Sequence, residues 1–259
     1  MGMWRKVLIL LMLMVLIAGL GIFLYPHVNG WITDYYIRLE AERFLSYVDT
    51  VPTVPTESTE PSIPASTGTE PSEPEETEAP ILYPELLEAM QNYNREIWEQ
   101  RQVGLCDPWA YTQPSFKLGE YGLEDEVFGV IAIPKLGIEL PIYLGASSKH
   151  MADGAAHLSQ TSLPIGGENT NCVIGGHRGY RGASYFRYIT DLVPGDEIVI
   201  TNLWGELRYT VVETQIIEPY EVDQVLIQPS RDLVTLLTCH PYASGGKQRY
   251  LVICERILS

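Results

Sequence analysis

Three residue types that together can perform acyl transfer occur at the ends of predicted strands in the C-terminal half of the chain. Cys239 ends an aliphatic and β-branched run, and Arg249 opens the next such run after a Pro/Ser/Gly/Gly-containing segment. Two such runs around a turn predict a β-hairpin in which Cys239 and Arg249 face each other near the loop. A cysteine becomes a nucleophile when a base accepts its proton, and a guanidinium stabilises a developing oxyanion.

The required base is offered by His177, which follows a short apolar run and lies in a glycine-rich turn (residues 172–179). Taken singly, a Cys at a strand end is usually a small buried hydrophobe, and a His or Arg is usually a surface or capping residue. The three residue types together, at strand ends where a rigid scaffold meets its loops, predict a site for nucleophilic catalysis.

The flanking sequences are more specific than the three residues alone. Cys239 lies in Thr-Leu-Leu-Thr-Cys-His-Pro-Tyr, His177 lies in Gly-His-Arg-Gly, and Arg249 lies in Gln-Arg-Tyr-Leu-Val. These motifs resemble the cysteine, histidine and arginine motifs of sortases, the cysteine transpeptidases of Gram-positive cell surfaces. The resemblance runs nearly without interruption from Glu126 to Ser259, about half of the chain, and it implies that His177, Cys239 and Arg249 are the catalytic residues.

Short β-rich runs alternate with turns from Phe128 onward, and only residues 150–158 and 184–189 suggest short helical turns. Spacing alone predicts an all-β barrel or sandwich with enough residues for a sizeable core. The resemblance implies a closed eight-stranded sortase-type β-barrel with short helices, preceded by N-terminal helices and a transmembrane anchor. The runs that we predict as strands are residues 130–133, 138–143, 172–175, 197–201, 207–217, 234–239 and 250–257.

The N-terminus contains an uncharged apolar run, residues 7–24, preceded by Arg5 and Lys6. A run of 18 such residues is just long enough to span a bilayer, and the two basic residues favour a cytoplasmic N-terminus. A cleaved secretion signal is the alternative, but this run is longer than a usual signal core. We therefore predict a cytoplasmic tail (1–6), an uncleaved single-pass anchor in the cell membrane (7–24) and an extracellular catalytic domain.

Composition divides the rest of the chain before the barrel. Helical spacing predicts a membrane-proximal helix over residues 25–49. Residues 50–80 form a Pro/Thr/Glu-rich stretch without Lys or Arg, which predicts a disordered spacer. Residues 81–125 hold a helix and a loop, and residues 126–259 form the catalytic barrel. The formal net charge of −16 argues against nucleic acid as a partner.

The loop before the barrel contains Asp107, Pro108 and Trp109. By itself Asp-Pro is ordinary turn chemistry. Placed upstream of a sortase barrel, the tripeptide resembles the lid of class C sortases, the pilin polymerases, in which the acid pairs with the active-site arginine and the aromatic ring covers the cysteine. The resemblance implies that Asp107 meets Arg249 and that Trp109 covers Cys239.

The four cysteines show no paired spacing, so they do not predict a disulfide framework. Cys172 and Cys254 fall in predicted strands, where buried thiols are expected. Cys106 immediately precedes the tripeptide, and we hypothesise a reversible disulfide between Cys106 and Cys239 that would lock the lid. The sequence contains neither a zinc-type cysteine pair nor a phosphate-binding loop, and we expect no metal or organic cofactor.

The resemblance implies a hydrolase-like transpeptidase that cleaves a Leu-Pro-x-Thr-Gly-like sorting signal through a cysteine thioester. The implied partners are pilin or surface-protein substrates and an amine acceptor. By the class C pattern the acceptor is a pilin lysine, which makes pilus assembly the expected role. Three departures from the class C pattern keep open a housekeeping-type sortase that attaches proteins to peptidoglycan. His240 follows the cysteine where class C members usually carry a smaller hydroxyl residue, and the second transmembrane helix of many class C members is not found before Ser259. The Pro/Thr/Glu-rich spacer is also longer than the family pattern leads us to expect. A surface-tethered binding module without turnover is a third alternative.

Overall fold

A computed structural model describes residues 2–50, 81–102, 105 and 112–258. The predicted spacer (residues 51–80), Cys106 and the tripeptide Asp107-Pro108-Trp109 lie outside these ranges. Three α-helices are present in the described part: α1 (Gly2–Thr50), α2 (Pro84–Glu99) and α3 (Ser148–Asp153). The strands are β1 (Val127–Ile133), β2 (Ile138–Leu144), β3 (Ala155–His157), β4 (Thr170–Gly175), β5 (Glu197–Asn202), β6 (Gly205–Ile217), β7 (Asp232–His240) and β8 (Gln248–Arg256).

The eight strands form one closed barrel in the order β1-β2-β3-β4-β7-β8-β6-β5, with β5 returning to pair with β1. The pairs β2–β3 and β4–β7 are parallel, and the other pairs are antiparallel. Closure leaves no unpaired sheet edge. The predicted closed eight-stranded β-barrel is confirmed.

Strand β3 was not among the runs that spacing predicts, and the helical turn expected over residues 150–158 is only partly right. Helix α3 ends at Asp153, and Ala155–His157 then pairs in parallel with β2 and antiparallel with β4. Three residues that include two alanines carry little β propensity of their own. Their strand conformation therefore depends on the two neighbouring strands and is not visible in the local sequence.

The core has two layers. Inside the barrel, alternate aliphatic side chains of the strands point inward, as Ile131 and Ile133 do in β1. Outside the barrel, α1 and α2 cover a second apolar cluster with Phe44 of α1 and Met90 of α2. Leu86, Met90 and Ile97 lie on one face of α2 and are all buried. The two helices thus extend the hydrophobic core beyond the barrel.

Helix α1 runs without a break through both the predicted anchor and the predicted membrane-proximal helix. Within the described residues it is the one helix long and apolar enough to cross a membrane, and none of its most apolar window is buried. Its second half instead has a buried face at helical spacing, formed by Gly30, Ile37, Ala41, Phe44 and Val48. One continuous helix therefore connects an exposed apolar segment to the side of the barrel.

Candidate active site

The cysteine and the arginine lie opposite each other on two neighbouring strands. β7 and β8 pair in an antiparallel register that places Cys239 opposite Arg249 and continues to the next pair, His240 and Gln248. Residues directly opposite in such a ladder have Cβ atoms about 4.5–5.5 Å apart. Cys239 and Arg249 are both partly exposed, so the thiol and the guanidinium share one solvent-accessible position. The predicted hairpin and this juxtaposition are confirmed.

His177 follows the end of β4, the other neighbour of β7 in the barrel. The parallel register of β4 and β7 ends with Gly175 opposite Leu237. His177 and Cys239 each lie two residues beyond this last pair, so both lie at the same rim of the barrel. The three residues predicted from their types are thus contributed by β7, β8 and the loop that follows β4.

The imidazole of His177 is held between two tyrosine rings. It stacks on Tyr180 with ring centroids 4.5 Å apart and an interplanar angle of 21°, and it meets Tyr185 edge-on at 6.0 Å. This burial lowers the pKa of His177 below the ordinary histidine value of 6.5. Among the described residues the ring makes no hydrogen bond to the Cys239 thiol, so stacking fixes its orientation. At neutral pH His177 is therefore an uncharged base.

The guanidinium of Arg249 is held by the backbone of the β7–β8 loop. Its Nη1 donates to the carbonyl oxygens of Gly246 at 2.7 Å and Gln248 at 3.1 Å. Over the described ranges it forms no ion pair with a carboxylate, which leaves its charge available to a substrate oxyanion or to a carboxylate of the tripeptide. Gly246 allows this arrangement: a Cβ there would lie 3.1 Å from Nη1 of Arg249 and 3.3 Å from Sγ of Cys239.

Two arginines connect the loop that follows His177 with the loop that follows Cys239. Arg178 Nη1 donates to Nδ1 of His240 at 2.7 Å and to the Cys239 carbonyl at 3.4 Å. Because arginine only donates, Nδ1 of His240 accepts and the neutral ring carries its proton on Nε2. Burial and then the Arg178 charge lower the pKa of His240. Arg187 also lies over the Tyr242 ring, 4.6 Å from its centroid.

The other two described cysteines are not placed for chemistry. Cys172 and Cys254 are free and buried in the barrel, and burial raises the pKa of each thiol. A raised pKa keeps both thiols protonated and unreactive. Within residues 2–50, 81–102, 105 and 112–258, no group of three or more His, Cys, Asp or Glu side chains could hold a metal ion.

Both flanks of the tripeptide contact the barrel, although Asp107, Pro108, Trp109 and the hypothesised Cys106–Cys239 disulfide lie outside the described residues. On the N-terminal side, Leu105 is buried in a cluster with Ile217 and Leu251, and Ile217 pairs with Arg249 across β6 and β8. On the C-terminal side, the carbonyl of Gln113 accepts a hydrogen bond from the hydroxyl of Ser159. The loop therefore starts close to the strand that carries Arg249.

Sequence reasoning did not identify the residues that support the three predicted ones. Arg178 falls within the histidine motif, but its contact joins two loops that are distant in the sequence, and Gly246 falls within the Pro/Ser/Gly/Gly-containing segment, where its contacts with Cys239 and Arg249 depend on the loop conformation. Tyr180 and Tyr185 lie within eight residues of His177. Tyrosines this close to a predicted catalytic histidine were the available signal.

Comparisons with known proteins agree with this geometry. The family model described as "Sortase domain" matches residues 131–257. Sortase D of Bacillus subtilis (strain 168) is 29% identical over 131 residues, which cover 50% of this chain and 63% of that protein, so the chain spans less than two thirds of that relative's length.

Solved structures give longer matches. The structure described as sortase C1 of GBS Pilus Island 1 is 31% identical, with a TM-score of 0.59, and the match covers 68% of this chain and 83% of that one. A Clostridium perfringens sortase C, described as solved with the C-terminal cell wall sorting motif, is 32% identical, with a TM-score of 0.57 and coverage of 68% and 90%. Both structural neighbours are class C sortases.

Proposed function

The chain belongs to the sortase family of cysteine transpeptidases, and from this premise we propose that it cleaves a Leu-Pro-x-Thr-Gly-like sorting signal and transfers the acyl group to an amine. One observation carries the proposal: Cys239 lies directly opposite Arg249 on β7 and β8, and His177 leaves the adjacent strand at the same rim. Nucleophile, oxyanion donor and base are the three parts that acyl transfer needs.

We assign the proton transfers to His177. As Sγ of Cys239 attacks the threonyl carbonyl, the neutral imidazole accepts the thiol proton, and Arg249 stabilises the oxyanion of the tetrahedral intermediate. Collapse of the intermediate breaks the Thr–Gly bond, the imidazolium protonates the departing glycine amine, and a thioester remains. An incoming amine then attacks the thioester with His177 as base, and the thiol is regenerated.

The acceptor that we propose is a lysine side chain of a pilin, giving an isopeptide bond. The structural neighbours support this choice, because they are class C sortases and one is described by its pilus island. The runner-up is a housekeeping role with a peptidoglycan amine as acceptor. It is favoured by His240, which is held by Arg178 next to the nucleophile where the class C resemblance leads us to expect a smaller hydroxyl residue.

We also propose that Asp107, Pro108 and Trp109 form a lid over the site. Leu105 packs beside Ile217, which is the partner of Arg249 in the β6–β8 ladder. Two further residues of extended chain span roughly 7 Å, which lets the Asp107 carboxylate reach a guanidinium whose partners among the described residues are backbone carbonyls. An aromatic ring two residues later suits exclusion of water from the thiol and its thioester.

For the location we propose a single-pass anchor with the barrel outside the cell. The exposed apolar half of α1 supports the membrane span, and Arg5 and Lys6 before it favour a cytoplasmic N-terminus. The buried second half of α1 then places the barrel next to the outer membrane surface, where substrates anchored by their own sorting signals would be within reach.

The proposal is tested by trapping the acyl-enzyme of the full chain in detergent micelles. We expect mass spectrometry to find the acyl group of a Leu-Pro-x-Thr-Gly peptide on the Cys239 peptide, and none with a scrambled peptide or with Cys239→Ala. His177→Ala and Arg249→Ala should each lower the rate of thioester formation by roughly a hundredfold or more. Full turnover in all three variants would contradict the assignment.

Acceptor choice separates the alternatives. Addition of a pilin-derived lysine peptide or of a peptidoglycan-type amine should release the thioester as a new amide, and the faster acceptor identifies the class. A chain that binds the sorting peptide but forms neither thioester nor product would instead be a binding module.

A further inference from the structure

Helix α1 and the loop that follows His177 meet backbone to backbone. We define residues 178–188 as the histidine loop. A Cβ on Gly30 of α1 would lie 2.6 Å from the carbonyl carbon of Gly182 in this loop, and a Cβ on Gly182 would lie 2.4 Å from the carbonyl oxygen of Pro26. Separations below 3 Å cannot be tolerated between a side chain and backbone atoms, so this approach requires glycine at both positions.

Polar contacts on either side of this glycine pair fix the same junction. Asn29 Nδ2 donates to the carbonyl oxygen of Arg181 at 3.0 Å, and the Asp34 carboxylate interacts with the backbone of Ser184. Further along α1, Ile37 belongs to the same buried cluster as Tyr185. Nearly three turns of α1 therefore hold the main chain of the histidine loop.

The opposite side of the loop supports the imidazole. The ring of His177 stacks on Tyr180 and meets Tyr185 edge-on, and the backbone N–H of Phe186 donates to the carbonyl oxygen of His177 at 3.0 Å. Arg181 lies over the Tyr180 ring, 5.1 Å from its centroid. A displacement of the loop away from α1 would therefore move both rings that orient the imidazole.

We infer that α1 is a positioning element of the active site: the contact between Gly30 and Gly182 seats the histidine loop, and the seated loop holds the His177 ring for proton transfer. Gly30 and Asn29 act here through the loop and touch no reacting atom. The inference rests on the proposed transpeptidase function for the role of His177, but the seating of the ring can be measured without any substrate.

By this contact, the N-terminal helix would influence the active site as well as attach the barrel to the membrane. The buried face of α1 begins at Gly30, only a few residues after the apolar run that ends at Leu24. A tilt of the apolar segment would thus be transmitted along one continuous helix to the histidine loop, which contacts the N-terminal end of the buried face of α1. Proper seating of the helix should accordingly be needed for full activity.

The test compares Gly30→Ala with Gly21→Ala in the full chain in detergent micelles. Both substitutions lie in α1, where alanine is favoured over glycine, but a Cβ at Gly21 meets no atom within 4 Å. The first readout is carbethoxylation of individual histidines by diethyl pyrocarbonate against pH, followed by peptide mass spectrometry. The second is kcat and KM for cleavage of a Leu-Pro-x-Thr-Gly peptide.

We expect the modification midpoint of His177 in Gly30→Ala to rise toward 6.5, the ordinary histidine value, because the displaced tyrosines expose the ring. We expect kcat to fall at least threefold with KM little changed, whereas Gly21→Ala matches the wild type. His157, which is fully buried in β3, must stay protected and thereby reports an intact barrel.

A wild-type midpoint and wild-type kcat in Gly30→Ala would overturn the inference. If Gly30→Ala exposes His157, the barrel itself is disturbed, and Asn29→Ala takes its place, because it removes one hydrogen bond without any steric clash. A smaller shift of the His177 midpoint in the same direction supports the inference, and no shift overturns it. Absence of turnover in the wild type would refute the proposed function alone, since the modification profile is still measured.

Discussion

At the scale of single residues, the site depends on glycine as much as on the three reactive side chains. Gly245 and Gly246 are adjacent in the β7–β8 loop and have similar left-handed backbone angles, with φ of +73° and +80°. A Cβ at Gly245 would meet no atom within 4 Å, whereas one at Gly246 would press on both Arg249 and Cys239. Alanine at Gly245 would therefore introduce backbone strain alone, whereas alanine at Gly246 would introduce the same strain and also crowd the thiol and the guanidinium.

We predict that Gly246→Ala lowers kcat/KM for peptide cleavage by roughly tenfold or more, because misplacement of a reacting group by about 1 Å is costly. Gly245→Ala is the matched control, since both variants carry the same left-handed penalty of about 1–2 kcal/mol. Steady-state kinetics and thermal unfolding of both variants make the comparison. Equal losses of activity in the two variants would contradict a specific role for Gly246.

The pH dependence of catalysis is also determined by single residues, His177 and the two tyrosines that contact it. Burial between Tyr180 and Tyr185 lowers the pKa of His177, so the neutral, proton-accepting imidazole persists below pH 6.5. We therefore predict that the acid limb of kcat/KM for thioester formation lies below 6.5, and that Tyr180→Ala, which removes the stacked ring, moves this limb upward. A limb at or above 6.5 in the wild type would show that the ring is not buried as the structure indicates.

Residue types and flanking motifs were sufficient to predict the placement of Cys239 opposite Arg249, because a hairpin brings its two strands together locally. The support given by Arg178, Gly246 and Tyr185 could not be predicted in the same way. The Arg178 contact joins two loops that only the closed barrel brings together, and the contacts of Gly246 and Tyr185, although local in sequence, depend on irregular loop conformations that periodicity does not encode.

At the scale of elements, the segment between α2 and β1 is attached to the barrel on both sides of the tripeptide. Gln102 is buried, its Oε1 accepts from the backbone N–H of Ile227 at 2.6 Å, and its Nε2 donates to the Gln160 carbonyl at 3.3 Å. Leu105 packs with the strands three residues later. Both flanks of the tripeptide are thus fixed to the barrel, which supports its proposed position over the rim that carries Arg249.

We predict that replacing Asp107 and Trp109 together with Ala speeds labelling of the Cys239 thiol by a bulky maleimide at least severalfold, because the lid no longer covers it. Trp98→Ala with Glu99→Ala is the matched control, as it also removes one tryptophan and one acidic residue, at the end of α2. Labelling is followed by mass spectrometry of the Cys239 peptide. Equal rates in both double variants would mean that the tripeptide is only a turn.

Element prediction from the sequence succeeded where a strand carries its own signal and failed where it does not. β7 is a continuous β-branched and aliphatic run, and its strand was predicted nearly to the residue. β3 is three residues long and contains two alanines, so its conformation comes from β2 and β4 on either side. The eighth strand of the barrel was accordingly implied by the family resemblance and not by spacing.

At the scale of the whole molecule, we expect one buried histidine of the barrel to link the stability of the fold to pH. His157 of β3 is fully buried, its Nε2 bonds to the Thr161 carbonyl at 3.2 Å, and its Nδ1 has no hydrogen-bond partner in the part of the chain that the structure describes. Burial lowers the pKa of His157 to about 4, although hydrogen bonds to the backbone oppose this shift. The folded protein therefore keeps a neutral imidazole in a pH range in which the unfolded chain already binds a proton there.

This difference fixes the sign of the pH effect on stability. The folded pKa lies below the unfolded value of 6.5, so the contribution is complete above 6.5 and is lost as the pH falls from 6.5 to about 4. At 1.36 kcal/mol per pKa unit, the loss in free energy of unfolding is about 3 kcal/mol.

We predict that His157→Gln, which cannot take up the proton, removes this part of the acid sensitivity. The measurement is urea unfolding of the full chain in micelles between pH 4 and pH 7, with His150→Gln as the control for loss of an imidazole near the surface. His157→Gln should be less stable than the wild type at pH 7, because the substitution leaves the buried site imperfectly filled, yet the two should converge as the pH falls. If the difference between them stays constant from pH 7 to pH 4, His157 is protonated equally in the folded and unfolded states and does not link the stability of the barrel to pH.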